Sequence, residues 1–482
     1  MNQLVDGMPR LIQAGMGIHI SSARLANETS RLGALGVVSG AALRHVVIED
    51  VRAGEEEAIE IARTFPVALY VDELLTFALG GARHTHAVPV DTPDSRHKAR
   101  PRRLSAIAAY VEVMRAKRGH RGKVGINVMW KCTLTVLPTI YGAMLAGVDA
   151  LLCGAGVPME LPDIVAKIRA GRDMEYLPLT GTGTYARFAI AQDNTTSLLQ
   201  AMQAPKLMPM LSNFAFAKRM LDVWQKEYSG ARPFSFVLEH HAAGGHNAPP
   251  RNKSEFTEQD SIDSYFDKVL ALGVPVYVAG AFKHGGTRAE FQEWTARGAY
   301  SLQVGSRFAL CEESGMHPDL RQKIVEAVAR GELEVTTSPA MSPTGYPIKH
   351  VSLLGTVSQM EVYEARPRVC NKMYLTQSHF APQPDGSTKE TYICPAMPPQ
   401  QYERLGGDVA DTKDRVCLCN GLLSTAGYYD DIEPPAVTLG ESGRQVTQQT
   451  TARAIVEDIL TPQYVAQQER VLVENDGAAA TA

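Results

Sequence analysis

Nowhere in the 482 residues do about 18 apolar residues follow one another, so a membrane-spanning helix is not expected. Charge of one sign is also in short supply. The 48 Lys and Arg face 52 Asp and Glu, a formal net charge of −4, which lacks the basic excess of a nucleic-acid-binding surface. Cysteine is sparse and odd in number, and seven thiols in so long a chain do not read as a disulfide framework. The opening MNQLVDGMPRLIQAGMG has no basic segment followed by an apolar one, so no secretory leader is expected and a soluble cytoplasmic protein is the default. With 45% hydrophobic and 21% charged residues, 40 Gly and 28 Pro, disordered, collagen-like and coiled-coil classes are excluded as well.

What the chain does contain is a repeat of short apolar runs that end in Gly, Ser, Asn or His. They are LIQAG at 11–15, LGVVSG at 35–40, VGINVMW at 124–130, DALLCGAG at 149–156, KLMPMLSN at 206–213, FSFVLEHH at 234–241, VPVYVAGAF at 274–282 and YSLQVGSRF at 300–308. The runs are nearly continuous in Val, Ile, Leu and Met, as in parallel strands buried on both faces. Helix-like segments such as ELPDIVAKIRAG and SIDSYFDKVLALG separate them. Alternating strand and helix implies a parallel sheet, and eight repeats imply an α/β fold, the (β/α)8 TIM barrel, with a doubly wound open sheet as the competing architecture.

Two regions interrupt the repeat. Residues 41–120 include the apolar PVALYVDELLTFALGG and the basic RHTHAVPVDTPDSRHKARPRR, and so long a stretch after the second strand reads as an insertion. Its basic part is either a solvated loop or a lid facing an anionic substrate group. The barrel is assigned to residues 1–315, and residues 316–482 to a C-terminal extension packed on it. The extension opens with a helix in PDLRQKIVEAVARGE and ends in a disordered tail, NDGAAATA. It holds four of the seven cysteines, Cys370, Cys394, Cys417 and Cys419, which are either buried structural thiols or a tetrahedral metal set of unusual spacing.

Active sites of such barrels form at the C-terminal ends of the strands. Small residues dominate there, which lets the backbone approach a flat ligand closely, and few ionisable groups converge, so a cofactor carries the hard chemistry. Gly280–Ala281 and Gly305–Ser306 close the seventh and eighth runs, where backbone amides commonly hold a phosphate. EHHAAGGHNAPP places Glu239, His240, His241 and His246 at the end of the sixth run. A metal site is one option for this cluster. His246, after Gly244–Gly245, is the better candidate for removing an acidic carbon-bound proton, because imidazole titrates near neutral pH.

Taken in order, QAGMG at 13–17, GINVM at 125–129, GVDALLCGAGVPMELP at 147–162, AAGGH at 242–246, PVYVAGAFKHGG at 275–286, GAYSLQVGSRFALCEESG at 298–315 and SPTGYP at 342–347 resemble the nitronate monooxygenase family, formerly called 2-nitropropane dioxygenases. The resemblance implies an FMN-binding barrel that oxidatively denitrifies alkyl nitronates with O2, releasing nitrite and a carbonyl compound. It places the backbone of Ala14, Gly15 and Met16 against the flavin, with Asn127 hydrogen-bonded to it and Gly244 and Gly245 lining it. Gly280, Ala281, Gly305 and Ser306 would hold the phosphate, Lys206 would contact the flavin, and His246 would match the catalytic histidine, placed to deprotonate or orient the substrate. No metal is implied. The expected partners are a small nitronate-like substrate and O2, with no nucleic acid or membrane, and a homo-oligomer is left open. The chain departs from the family in Ser306 for Thr, Ala281 for Gly, and His240 and His241 for smaller residues. PRVCNKMYL, YICPAMP and RVCLCNGLL are similar to segments of a longer subgroup, some of whose relatives are enoyl reductases. An NAD(P)H-dependent FMN reductase acting on an enoyl thioester or quinone is therefore the alternative, followed by a non-catalytic flavin- or metal-dependent interaction protein.

Overall fold

Each of the eight apolar runs forms one parallel strand, and the strands close on themselves. In chain order they are β1 (Leu11–Gln13), β2 (Leu35–Ser39), β3 (Val124–Met129), β4 (Ala150–Gly154), β5 (Lys206–Leu211), β6 (Phe236–Glu239), β7 (Val276–Ala279) and β8 (Ser301–Val304). Every strand pairs with its neighbours in this order, and β8 returns to β1 through Leu11–Leu302, Ile12–Gln303 and Gln13–Val304. The sheet therefore has no edge, which removes the open doubly wound alternative in favour of a (β/α)8 barrel. The computed structural model describes residues 7–80, 99–176, 186–252, 255–383, 385–428 and 432–474. Among these residues no helix is long and apolar enough to cross a membrane.

The runs fail to alternate because both faces of each strand are covered. Inward residues such as Ile12, Val37, Leu152, Met208, Val237 and Tyr277 fill the barrel. The outward Leu11, Val38, Ile126, Leu151, Leu238 and Val278 pack on the surrounding helices. Fully burying one such side chain stabilises the fold by about 1.5–3 kcal/mol. At the N-terminal end of the barrel the Tyr277 and Tyr300 hydroxyls donate to the carbonyls of Pro9 and Met8, both at 2.7 Å.

Residues 41–120, read as an insertion or lid region, are described at 41–80 and 99–120. Their described part forms helices Leu43–Ala53, Glu56–Arg63, Ala68–Leu79 and Arg100–Lys117. The last of these buries Leu104, Ile107, Ala108, Val111 and even Glu112, so it is a barrel wall helix between β2 and β3. Arg115 holds Glu112 at 3.0 Å and Asp50 at 2.6 Å, which neutralises the buried carboxylate. Most of the basic stretch lies in residues 81–98, outside the described residues.

The boundary at 315 does not coincide with the end of the barrel. Helix Pro318–Ala329 packs in a separate cluster through Leu320, Ile324 and Val325. Helix Ala452–Leu460 instead places Ala452, Ile455, Val456 and Ile459 in the main core, against helices Ala23–Arg31 and Arg288–Ala296. That is the wall position following β8, so the eighth helix of the barrel arrives about 150 residues late. Its apolar residues at i, i+3, i+4 and i+7 form one stripe, which is why it can seal the wall.

Between these helices the extension contributes two antiparallel hairpins, Glu334–Ser338 with Ile348–Ser352 and Gln377–Pro382 with Thr388–Ile393. A cluster containing Tyr374, Met397, Val416 and Leu423 also takes up Cys394, Cys417 and Cys419, with Cys370 packed at its margin. All four are free thiols, and burial pushes Cys394 up to about 12. They fill the cluster as small apolar side chains. Among the described residues no group of three or more His, Cys, Asp and Glu is arranged to hold a metal.

Candidate functional site

A cleft of about 1110 Å³, counted out to its solvent mouth, opens at the C-terminal ends of the strands. Its lining brings together ten of the residues expected from the sequence: Ala14, Gly15, Met16, Asn127, Gly244, Gly245, His246, Gly280, Gly305 and Ser306. Two expected residues are absent from it. Lys206 is the first residue of β5, at the N-terminal end of the barrel, where it borders a different cavity with Met8, Lys123 and Asp149 and lies over the Phe234 ring. A strand of six residues separates it from the mouth, so it cannot serve as the flavin-contacting lysine. Ala281 packs its methyl against the main core and does not reach the cleft.

The loop after β1 is braced from within. Ser21 Oγ accepts from the Met16 amide at 2.8 Å and donates to the Ala14 carbonyl at 2.7 Å. Gln13 reaches the same carbonyl at 2.6 Å and accepts from the Val37 amide at 3.0 Å, and Ser39 donates to the Gly17 carbonyl at 2.5 Å. A Cβ at Gly15 would fall 2.4 Å from Asn127 Cβ, so only glycine lets the loop and β3 approach this closely. Asn127 donates to the Gly15 carbonyl at 3.2 Å and keeps Oδ1 buried without a partner. Gln303 on β8 likewise has an unpartnered, buried Oε1. Two orphaned acceptors on a cavity wall suit a ligand that carries N–H or O–H donors.

The loop after β6 is tied to the extension. The Lys349 amide donates to Gly245 at 2.9 Å, the Asn247 amide donates to Pro347 at 2.8 Å, and His246 bridges Ile348. This places His246 Nε2 2.6 Å from Ser342 Oγ, the first residue of SPTGYP. Burial, aided by the Lys131 ammonium, pushes the His246 imidazole down to about 3. It is therefore neutral at ordinary pH, the form that can accept a proton or a hydrogen bond.

Glu239, the last residue of β6, was legible only as part of the histidine-rich run. Burial raises its carboxyl to about 7, partly offset by Lys131. Burial lowers Lys131 to about 7 in turn, opposed by Cys132 and Glu239, and its ammonium stands 3.1 Å from the centre of the Tyr346 ring. His240 and His241 face an adjoining cleft of about 390 Å³, where His241 stacks on Phe256 with ring centres 4.6 Å apart. Burial and the neighbouring His241 lower His240 to about 4.

At the far end of the main cleft, Gly280 has φ +75°, and a Cβ there would fall 2.5 Å from that of Ala243. The Gly440 amide from the extension donates to Ser306 Oγ at 2.9 Å, and the Glu441 amide donates to the Ala242 carbonyl at 3.0 Å. Thr438, Ser442, Leu422 and Ile348 complete the roof. Reading the strand ends misses these four because they lie in the extension, with Ile348 on its first hairpin and Leu422 on helix Leu418–Thr425.

Residues 191–350 match the family model described as nitronate monooxygenase. That stretch contains β5 to β8, AAGGH and SPTGYP. Over 95 residues the chain is 38% identical to a probable nitronate monooxygenase of Bacillus subtilis (strain 168), covering 19% of this chain and 25% of that protein. The match thus spans about a quarter of the length of this curated relative. FabK from Thermotoga maritima aligns over 98% of this chain and 96% of its own with a TM-score of 0.49 and 15% identity. A nitroalkane oxidase from Streptomyces ansochromogenes aligns over 96% and 97% with a TM-score of 0.48 and 13% identity.

Proposed function

We propose that the protein is an FMN-dependent nitronate monooxygenase, which converts alkyl nitronates and O2 to carbonyl compounds and nitrite. The observation that carries this reading is the cleft itself, in a chain whose family match includes half of its rim. Small residues from β1, β6, β7 and β8 line a slot in which Asn127 Oδ1 and Gln303 Oε1 are buried and unpartnered. A flavin ring, with an imide N–H and a flat face, fits such a donor-seeking, narrow slot. Ala14, Gly15, Met16, Asn127, Gly244 and Gly245 would hold the ring, and Gly280, Gly305 and Ser306 the phosphate. Bound FMN supplies the one-electron acceptance from the nitronate and the passage of electrons to O2.

The protein's own residues do the rest. His246 is held by Ser342 and neutral, so it can hydrogen-bond a nitro group without repelling or trapping the substrate as a charged pair would. Ile348, Leu422 and Met210 give the cleft apolar walls that limit water around the bound substrate. The test is an absorbance spectrum of the purified protein, followed by parallel assays. A flavin spectrum with O2 uptake and nitrite release on a preformed alkyl nitronate is the expected result. Rapid anaerobic bleaching by NADH or NADPH with no turnover of nitronate would refute the reading in favour of an FMN reductase.

A further inference from the structure

The hydroxyl that meets His246 belongs to the loop of the first hairpin, residues 339–347, between strands Glu334–Ser338 and Ile348–Ser352. Loops are the more mobile parts of a fold, and a loop alone does not hold a side chain in one place. Ser342 is nevertheless fully buried, and its hydroxyl is fixed on three sides. The Thr344 amide donates to Oγ at 3.2 Å, the Thr344 hydroxyl shares a bond with it at 2.8 Å, and His246 Nε2 lies at 2.6 Å. Three bonds use the two lone pairs and one proton of a hydroxyl in full. Any shift of the Ser342 backbone therefore moves the hydrogen-bond partner of the imidazole.

That backbone is held from outside the loop. Arg415 Nη1 donates to the carbonyls of Ala340 at 2.5 Å and Ser342 at 2.7 Å, while its Nε donates to the Asp411 carbonyl at 3.1 Å. The Val416 amide donates to the Met341 carbonyl at 2.9 Å. The clamp is itself anchored. The Arg415 carbonyl accepts from Arg366 Nη2 at 2.8 Å and from the Tyr363 hydroxyl at 3.2 Å, and Arg366 pairs with the buried Glu433 at 2.9 Å. A guanidinium suits this place because its planar fork holds several acceptors with little further loss of freedom.

We propose that Arg415 is a positioning residue, which acts through Ser342 to hold the His246 imidazole in the orientation that meets the substrate. The proposal rests on the nitronate reading above and adds to it a residue outside the cleft. The backbone around His246 is fixed separately, since the Lys349 amide donates to Gly245 and the Asn247 amide to Pro347. Those bonds leave the ring free to turn about its side-chain torsions, and the bond to Ser342 is what opposes that rotation. With Nε2 engaged by Ser342, Nδ1 is the ring nitrogen left to meet a substrate. Without Arg415 the Ala340 and Ser342 carbonyls lose a shared donor, and the loop that carries the hydroxyl loosens.

Two measurements on the full chain test this. The first is NMR of protein labelled with 15N-histidine, in which the His246 ring signals are identified by their loss in His246→Asn. They should move in Arg415→Met and in Ser342→Ala, and return close to their wild-type positions in Arg415→Lys. The second is turnover of neutral nitroethane. Arg415→Met should lower kcat roughly tenfold with little change in KM, the signature of a misplaced group. Ser342→Ala should show a similar loss, and the double variant no further loss, because both changes act on one interaction. If Arg415→Met does not fold, Arg415→Gln, whose shorter amide cannot span both carbonyls, takes its place with the same expectations. Unmoved His246 signals in the Arg415 variant, or losses that multiply in the double variant, would overturn the assignment. Failure of the nitronate reading is seen separately, as wild-type protein that does not consume preformed ethylnitronate with O2, and the NMR comparison still decides the role of Arg415.

Discussion

Substituting His246 by Asn should flatten the acid side of the stability curve while costing stability at neutral pH. In the folded protein, burial and then Lys131 hold this imidazole near 3, whereas in the unfolded chain it titrates at its ordinary 6.5. Between those values the unfolded state binds a proton that the folded state refuses, so wild-type stability falls as pH falls below 6.5. The slope for one full proton is about 1.4 kcal/mol per pH unit, which from pH 6.5 to 4.5 amounts to about 2.7 kcal/mol as an upper bound. Because the ring borders a solvent-reaching cleft, about half of that is the working figure. Asn does not titrate, so the variant lacks this slope. At pH 7.5 it lacks instead the bond to Ser342, worth about 1 kcal/mol. The two curves should therefore approach each other on acidification and meet near pH 5. Urea unfolding followed by the fluorescence of the three tryptophans, at several pH values between 7.5 and 4.5, measures this directly. Parallel curves for wild type and variant over that range would mean that His246 is not held neutral by burial, and its assignment as a neutral hydrogen-bonding group would fail with it.

Other substitutions test separate parts of the structure. Gly15→Ala forces a Cβ to 2.4 Å from Asn127 Cβ, and the strand-end backbone on each side has little room to give, so flavin content after purification should fall at least several-fold. Lys206→Met, at the opposite end of the barrel, should leave flavin content unchanged, and a clear loss would restore the lysine to the site. Arg366→Met leaves Glu433 fully buried with its only ion-pair partner among the described residues gone, at a cost of about 3–5 kcal/mol in thermal or urea unfolding. The double variant with Glu433→Leu should recover most of that loss. Ile455→Ala opens a cavity where the late helix meets the barrel wall and should cost about 2–5 kcal/mol, against well under 1 kcal/mol for a helix lying loosely on the surface.

The barrel was legible because its physics is local. Strands covered on both faces must be apolar throughout, so VGINVM and PVYVA announce themselves, and the small residues that follow mark the open mouth. The positions of Asn127, Gly244 and Gly305 in the site follow from the strand ends alone. Lys206 was misplaced because it begins its strand instead of ending it, and the direction of a parallel strand decides which mouth a residue serves. Helix Arg100–Lys117 was read as part of an insertion because four of its first five residues are Arg or Pro, which hid twelve buried positions behind a polar start. Glu239 was visible as a strand-end carboxylate. What could not be read was its environment, since the cation that acts on it, Lys131, lies more than 100 residues earlier in the chain.

The extension shows why the remainder was hidden. Ser342 meets His246 across 96 residues, and Gly440 meets Ser306 across 134, through contacts that leave no periodic trace in either segment. Those contacts do two jobs at once. The hairpin strand Ile348–Ser352 and the connection through Thr438 and Ser442 roof the cleft, while the helix a few residues further on, Ala452–Leu460, seals the barrel wall after β8. A chain cut at residue 315 would therefore lose the roof and also leave the apolar side of that wall uncovered, exposing the groups that Ala452, Ile455, Val456 and Ile459 now cover. The roof and the wall thus depend on one continuous stretch of chain. It follows that changes in the extension should be felt at His246 even where they touch no part of the cleft. Tightening or loosening the seating of the late helix shifts the same connection that carries Gly440 to Ser306.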